Sequence, residues 1–321
     1  MQTTTLGATG LQVSRIAYGT WQLGGDWGSF DEDAAVSAIR HARELGIDLF
    51  DTAQAYGFGA AERLLGTALR DELDRDRESV VIATKGGVRP GGGGRDASAQ
   101  FLKEGVEQSL RALGVDYIDL YQVHWPDPKV PAEETAGALQ EMVDAGKIRH
   151  VGVSNYSIEQ MADFAAVRPV ETLQPPYHLF SRGIEAEVLP YTRARNIGVL
   201  AYSPLASGLL TGRFDENTTF AADDWRSQAT AFTGEALRRN VAVVRRLEEF
   251  AAERGCTVGQ LAIAWVLARV EVAIVGARSS ANIEASARAA DITFSDDELG
   301  EIERIAADGV AVEGASPEGV A

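Results

Sequence analysis

Apolar and polar positions along this chain change period again and again. Short runs rich in β-branched and aromatic residues recur at 15–19, 47–50, 80–83, 117–123, 149–153, 172–174, 198–202 and 272–275, bounded by turn-forming residues, and these read as strands. Between them the apolar positions take helical spacing. In residues 31–45, for example, Ala35, Ile39 and Ala42 share one face, as a helix packed on a sheet requires. Ser157 with Gln160, Thr257 with Gln260 and Ser295 with Glu298 form capping-box pairs, which satisfy the free amides at a helix start. Eight strand–helix units predict an α/β fold, a (β/α)8 barrel, with residues 1–321 as a single domain. Outside the eight units fall an N-terminal hairpin over 3–13, suited to plug the barrel floor, an extra helix within 235–255 and a C-terminal helix over 295–307. Residues 309–321 read as irregular chain. The rival architecture, a doubly wound sheet, should open with a strand, a GxGxxG turn and a helix, and no such stretch occurs.

Charge narrows the partners. A formal net charge of −17 repels phosphate backbones and anionic lipid surfaces, so neither nucleic acid nor membrane is expected. Cys256 is the only cysteine, which excludes an intrachain disulfide and any CxxC metal or redox pair; no metal site is expected. The N-terminal residues lack the basic region and apolar run of a secretion signal, and no apolar stretch has the length of a membrane span. The expectation is a cytoplasmic protein. No feature specifies an oligomeric state.

In a barrel of this kind, function collects where the strands end at their C-terminal side. The second predicted strand ends in Asp51 and leads to Tyr56, the third in Lys85, the fourth in His124, the fifth in Ser154 and Asn155. Gln174 and Tyr177 follow the sixth, Tyr202 and Ser203 the seventh, Gly276 and Arg278 the eighth. Each has an ordinary structural explanation by itself. Asp51, Tyr56, Lys85 and His124 on three consecutive strands also make a chemical unit. A phenol ordinarily titrates near pH 10, too high for easy proton donation at neutrality, but a neighbouring cation lowers that value. Lys85 supplies the cation, Asp51 keeps it charged, and His124 orients a carbonyl oxygen toward the Tyr56 hydroxyl.

A proton donor aimed at a carbonyl needs a hydride donor beside it. "IVGARSSANIEAS" sets Gly276, Arg278 and Ser279 before a helix start, which suits a bound phosphate, and "SPLASGLLTGRF" offers backbone amides and Arg213 for a pyrophosphate or an anionic substrate.

The motifs "GIDLFDTAQAYGFGAAERLLGTAL", "VIATK", "LGVDYIDLYQVHWPDP", "AGKIRHVGVSN", "QPPYHLF", "YSPLASGLLTG" and "IVGARSS" resemble those of the aldo-keto reductases along nearly the whole chain. "GFG", "YQVHWPDP" and "QPPY" look closest to the bacterial branch with general stress and inositol-related enzymes. The resemblance implies a catalytic tetrad of Asp51, Tyr56, Lys85 and His124, NADPH as cofactor, and a small-molecule aldehyde or ketone as substrate. It places Ser154, Asn155 and Gln174 on the nicotinamide amide and the ring of Tyr177 against the nicotinamide. Ser203, Pro204, Leu205, Ser207, Gly208, Leu210 and Arg213 fall in the loop that covers the pyrophosphate. Arg278 matches the residue that recognises the 2′-phosphate of NADP, and Asn282 lies where a Gln commonly sits. Gly19, Thr20, Trp21 and Tyr202 are further expected cofactor contacts. One departure is that Ala285 and Ser286 stand where many relatives carry a Glu-Asn pair near the adenine.

Trp21, Trp125 and Trp225 are candidate walls of a substrate pocket, with a core position equally open to Trp225. Gly91–Gly94 reads as a flexible rim loop suited to a lid, since it lacks the GK[ST] ending of a phosphate loop. Cys256 is assigned no role. Two other classes compete: a cofactor-binding regulatory barrel with slow turnover, similar to potassium channel β subunits, and a barrel hydrolase with paired carboxylates. The latter needs two acids on the rim; the strand ends offer Asp51 and Asp127, but Lys85 beside the first and the lack of a strand-end Glu argue against it.

Overall fold

The computed structural model describes residues 1–25, 28–222 and 224–312. A two-stranded antiparallel hairpin, β1 (Thr3–Thr5) and β2 (Gln12–Ser14), precedes a closed barrel of parallel strands. These are β3 (Ile16–Gly19), β4 (Leu49–Asp51), β5 (Val81–Gly86), β6 (Ile118–Val123), β7 (Ile148–Ser154), β8 (Thr172–Gln174), β9 (Gly198–Ala201) and β10 (Val272–Gly276), with β10 closing on β3. The surrounding helices are α1 (Glu32–Glu44), α2 (Ala60–Ala68), α3 (Arg70–Arg75), α4 (Ala99–Leu113), α5 (Ala132–Asp144), α6 (Ile158–Ala165), α7 (Val188–Ala194), α8 (Gly234–Ala252), α9 (Val258–Leu267), α10 (Ser280–Ala287) and α11 (Asp296–Ala306). The fold is the expected (β/α)8 barrel with its hairpin, and all three capping boxes form.

Strand alternation divides the apolar residues between two cores. Ala17, Leu49, Val81, Ala83, Leu120, Leu200 and Val272 fill the barrel, while Tyr18, Phe50, Ile82, Tyr121 and Val123 join the layer under the helices. Two residues further along a strand, the side chain returns to the same face. The inward file on β4 therefore runs from Leu49 to Asp51, on β5 from Val81 through Ala83 to Lys85, and on β6 from Leu120 to Gln122. Apolar residues occupy the lower positions and titratable or amide groups the upper ones.

The hairpin seals the floor. Leu6 is fully buried and belongs to the inner core, and Ser14 N–H donates to Asp48 Oδ1 at 2.7 Å, tying the hairpin to the approach to β4. The predicted tail begins as irregular chain but is held down: Val310 N–H donates to Asn240 Oδ1 at 2.7 Å and Val312 N–H to the Phe180 carbonyl at 3.1 Å. Residues 313–321 lie outside the described residues.

Truncating the floor plug tests this division. Leu6→Ala is expected to cost about 2–5 kcal/mol of stability, read by denaturant unfolding, while leaving the activity of the folded fraction unchanged because the rim is at the other end of the barrel.

Candidate active site

The C-terminal mouth of the barrel opens into a cavity of about 1100 Å³. At its floor the Lys85 ammonium is completely buried and makes three contacts: Asp51 Oδ1 at 2.7 Å, the Thr52 carbonyl at 2.9 Å and the Tyr56 hydroxyl at 3.3 Å. The second Asp51 oxygen accepts from Gln174 Nε2 at 2.8 Å. Both members of the ion pair thus have partners besides each other, as charges this deep require. Lys85 Nζ also lies 5.0 Å from the Tyr56 ring centroid.

Tyr56 comes from a compact turn after β4. Gly57 there has φ +60, and a Cβ on it would lie 2.6 Å from the Gly24 carbonyl oxygen, while a Cβ on Gly24 would meet the Tyr56 backbone at 2.8 Å. Only glycine at both positions lets the loop after β3 approach this turn. That approach brings the Trp21 ring nearly parallel to Tyr56, with centroids 6.2 Å apart. His124 presents an edge to the Tyr56 ring from the other side, at 5.8 Å. Burial, and secondarily the Lys85 charge, hold the His124 imidazole well below its ordinary pKa. His124 is therefore neutral at physiological pH and is a hydrogen-bonding group rather than a stored proton.

Ser154, Asn155 and Gln174 line one wall, but their groups are partly committed to one another. Ser154 Oγ donates to the Gln174 carbonyl at 2.8 Å; Asn155 Nδ2 donates to the His124 carbonyl at 3.1 Å and to Ser154 Oγ at 3.0 Å. Asn155 Oδ1 accepts from the Tyr202 hydroxyl at 2.9 Å. Asn155 has φ +62, and Ser203, Ala206 and Ser207 have φ between +48 and +55. Non-glycine residues in this region cost about 1–3 kcal/mol each and mark places where surrounding contacts fix the backbone for another purpose.

The sequence expectations divide on where these side chains point. Asp51, Tyr56, His124, Gly19, Trp21, Ser154, Asn155, Gln174, Tyr202, Ser203, Pro204, Leu205, Ser207, Gly208, Arg213, Gly276, Arg278 and Asn282 all line the cavity, with Lys85 sealed beneath it. Ala285 and Ser286 line it too. Thr20, Leu210 and Ser279 do not reach the wall. Tyr177 corrects the expectation of a ring facing the cavity. It is buried in the layer beneath the helices, 5.0 Å from the Trp265 ring, and its hydroxyl donates to Glu185 at 2.6 Å. Alternation along the extended segment explains this, since Pro176 and His178 face the cavity and Tyr177 between them faces away. The ring on the cavity side is Tyr202.

Other expectations are settled by position. Trp21 and Trp125 line the cavity, whereas Trp225 packs at 82° to Phe232, 5.7 Å away, in an aromatic cluster of the long loop after β9. Gly91–Gly94 is an exposed rim segment that does not touch the cavity. Cys256 is half-buried, and burial pushes its thiol pKa up, the opposite of activation. Sequence reasoning missed Gln22, Phe214, Arg226 and Gln260, which also line the cavity. Arg226 sits in a loop without a motif and was not signalled by its neighbours. It is held by Asp224 at 2.6 Å, donates to the Ser207 carbonyl at 3.1 Å, and adds its charge to burial in lowering the Arg278 pKa.

The chain belongs to the aldo/keto reductase family, which matches residues 15–307 and whose members are oxidoreductases that act on small-molecule carbonyl compounds with nicotinamide cofactors. It is 43% identical over 311 residues to aldo-keto reductase YhdN of Bacillus subtilis (strain 168), covering 95% of this chain and 93% of that protein. It is 32% identical to the NADH-specific methylglyoxal reductase of Escherichia coli (strain K12), covering 92% of this chain and 95% of that one. Among solved structures it is similar to the glycerol dehydrogenase AKR11B4 of Gluconobacter oxydans, with a TM-score of 0.88, 38% identity and 98% of each chain covered. Among the described residues no helix is long and apolar enough to cross a membrane.

Two buried imidazoles give a pH signature. His124 is held well below its ordinary value, and burial lowers His178 to about 4, whereas the unfolded chain takes up protons near pH 6.5. Below about pH 6.5 the unfolded state binds more protons, so stability present at neutral pH is lost as pH falls toward the folded values. Urea unfolding is expected to show a loss of about 1 kcal/mol for each histidine between pH 7.5 and 5.5, with a smaller loss in His178→Asn.

Proposed function

We propose that this protein is a cytoplasmic, NADP(H)-dependent reductase of aldehydes or ketones in which Tyr56 is the proton donor. The observation that carries the reading is the Lys85 ammonium placed between Asp51 and the Tyr56 hydroxyl. A cation 3.3 Å from the phenolic oxygen stabilises the phenolate that proton donation leaves behind, and the Asp51 carboxylate keeps that cation charged. His124 is neutral and therefore orients the carbonyl oxygen by a hydrogen bond, leaving Tyr56 as the acid. When bound, NADPH would supply the hydride that the carbonyl carbon takes up. The Tyr56 hydroxyl gives its proton to the carbonyl oxygen, and the alcohol results.

The lining fits such a cofactor. Tyr202 offers a ring for the nicotinamide face, the role expected of Tyr177, while the Ser154, Asn155 and Gln174 wall faces its amide. The positive-φ residues Ser203, Ala206, Ser207 and Gly208 fold this loop tightly along the cavity wall, an arrangement that suits a pyrophosphate. At the far end Arg278 and Arg226 both line the cavity, burial and secondarily the Arg226 charge lower the Arg278 pKa, and an added phosphate carrying two negative charges would offset that repulsion. Trp21 and Trp125 make the substrate end apolar and aromatic, which favours apolar or aromatic carbonyl compounds.

Tyr56→Phe is expected to keep NADPH binding near normal and to remove most turnover of an activated aromatic aldehyde, followed by loss of NADPH absorbance; retained turnover refutes the assigned acid. Arg278→Ala is expected to weaken NADPH far more than NADH in a fluorescence titration. Equal weakening assigns Arg278 to something other than the extra phosphate, and would align this chain with its NADH-specific relative.

A further inference from the structure

Behind the strand that carries Lys85, the layer between barrel and helices turns polar. Thr84, one position before Lys85, points to the opposite face of β5, and its Oγ1 donates to Glu62 Oε1 at 2.7 Å. Glu62 lies in the first turn of α2, six residues after Tyr56, and is fully buried. Ser109 of α4 and Tyr121 of β6 close the chamber, and Gln54, from the turn between Asp51 and Tyr56, roofs it. The Tyr121 hydroxyl and Gln54 Oε1 are buried without a hydrogen-bond partner among the described residues, and the Ser109 hydroxyl faces the Glu62 carboxyl. Two glycines make the space: a Cβ on Gly86 would overlap the Tyr121 hydroxyl, and one on Gly105 would lie 3.0 Å from that hydroxyl and 3.1 Å from Gln54 Oε1.

The chamber is joined to the catalytic turn. Gln54 N–H donates to the Lys85 carbonyl at 2.9 Å, the Gln54 carbonyl accepts from Gly59 N–H at 3.0 Å, and Gln54 Nε2 donates to Gln108 Oε1 at 2.6 Å. A carboxyl group in this layer is costly, and ordinary packing does not call for one.

We propose that Glu62 is a positioning residue for the proton-donating pair. Its bond to Thr84 fixes the rotation of β5 that aims Lys85 inward, and its place at the start of α2 fixes the turn that presents Tyr56. This rests on the reading of Tyr56 and Lys85 given above. The groups facing Glu62 are Arg63 on its own helix, Thr84 and Lys85 from β5, Ser109 from α4 and Tyr121 from β6. Burial outweighs the two cations and the two hydroxyls and raises the Glu62 pKa, which favours the uncharged acid.

The test compares Thr84→Val, Glu62→Ala and Glu62→Gln with wild type in NADPH-dependent aldehyde reduction, far below each melting temperature. The expected result is a kcat lower by about tenfold or more in Thr84→Val and Glu62→Ala, a misplacement effect, with KM for NADPH little changed. The pH at which kcat breaks moves upward, since a phenol farther from the cation is less acidic. Glu62→Gln, which keeps a side-chain acceptor for Thr84, restores most of the loss. Should Glu62→Ala fail to fold, Thr84→Val, close to isosteric, carries the test. An unchanged kcat, or one that falls only with the folded fraction at an unmoved pH break, overturns the proposal. Tyr56→Phe in the same series separates the two readings. Turnover surviving that change removes both, whereas turnover lost there but intact in Thr84→Val removes only the role of Glu62.

Discussion

An ammonium group with no exposed surface sits at the top of this barrel, and the architecture around it follows from the need to keep it charged. Taking such an ion out of water costs several kcal/mol even after relaxation. The Lys85–Asp51 contact at 2.7 Å offsets that cost only because the Thr52 carbonyl, the Tyr56 hydroxyl and Gln174 occupy the remaining directions. Five polar groups from β4, β5, β8 and the turn after β4 must agree in height and direction. The closed barrel enforces that agreement, because its register pairs Asp51 with Ala83 and Lys85 with Gln122.

The same low-polarity setting assigns different work to neighbouring groups. Lys85 is ion-paired with Asp51 at 2.7 Å, whereas burial, and secondarily the Lys85 charge, holds the His124 imidazole well below its ordinary pKa. One floor thus carries a fixed positive charge, a neutral hydrogen-bonding ring and a phenol between them. The aromatic contacts of Trp21 and His124 with Tyr56 limit where that phenol swings.

Much of this is legible in the chain. The strand count, the hairpin, the capping boxes and the titratable strand ends come from local patterns, which are strong where a strand is a short apolar run and a helix has a defined start. The barrel then makes alternation decisive: once Leu49 faces in, so does Asp51. Tyr177 was misread because the same alternation continues past the end of β8, where no periodic pattern remains to reveal it. Arg226 and Phe214 were invisible because a long loop reaches the cavity by its own aromatic packing, and local sequence does not encode where such a loop lands. Glu62 was hidden in a helix whose apolar periodicity treats that position as an ordinary first-turn acid.

The uneven distribution of charge has a kinetic side. With a formal net charge of −17, the molecule as seen from a distance is an anion, yet the far end of its cavity holds Arg213, Arg226 and Arg278. An anionic dinucleotide approaching from solution meets repulsion first and attraction only within the last few ångströms. Dissolved salt screens the distant part over about 8–10 Å at physiological strength and reaches the enclosed arginines far less. Capture of such a ligand therefore runs faster, not slower, as moderate salt is added, the reverse of the steering found where a protein and its anionic ligand attract from afar.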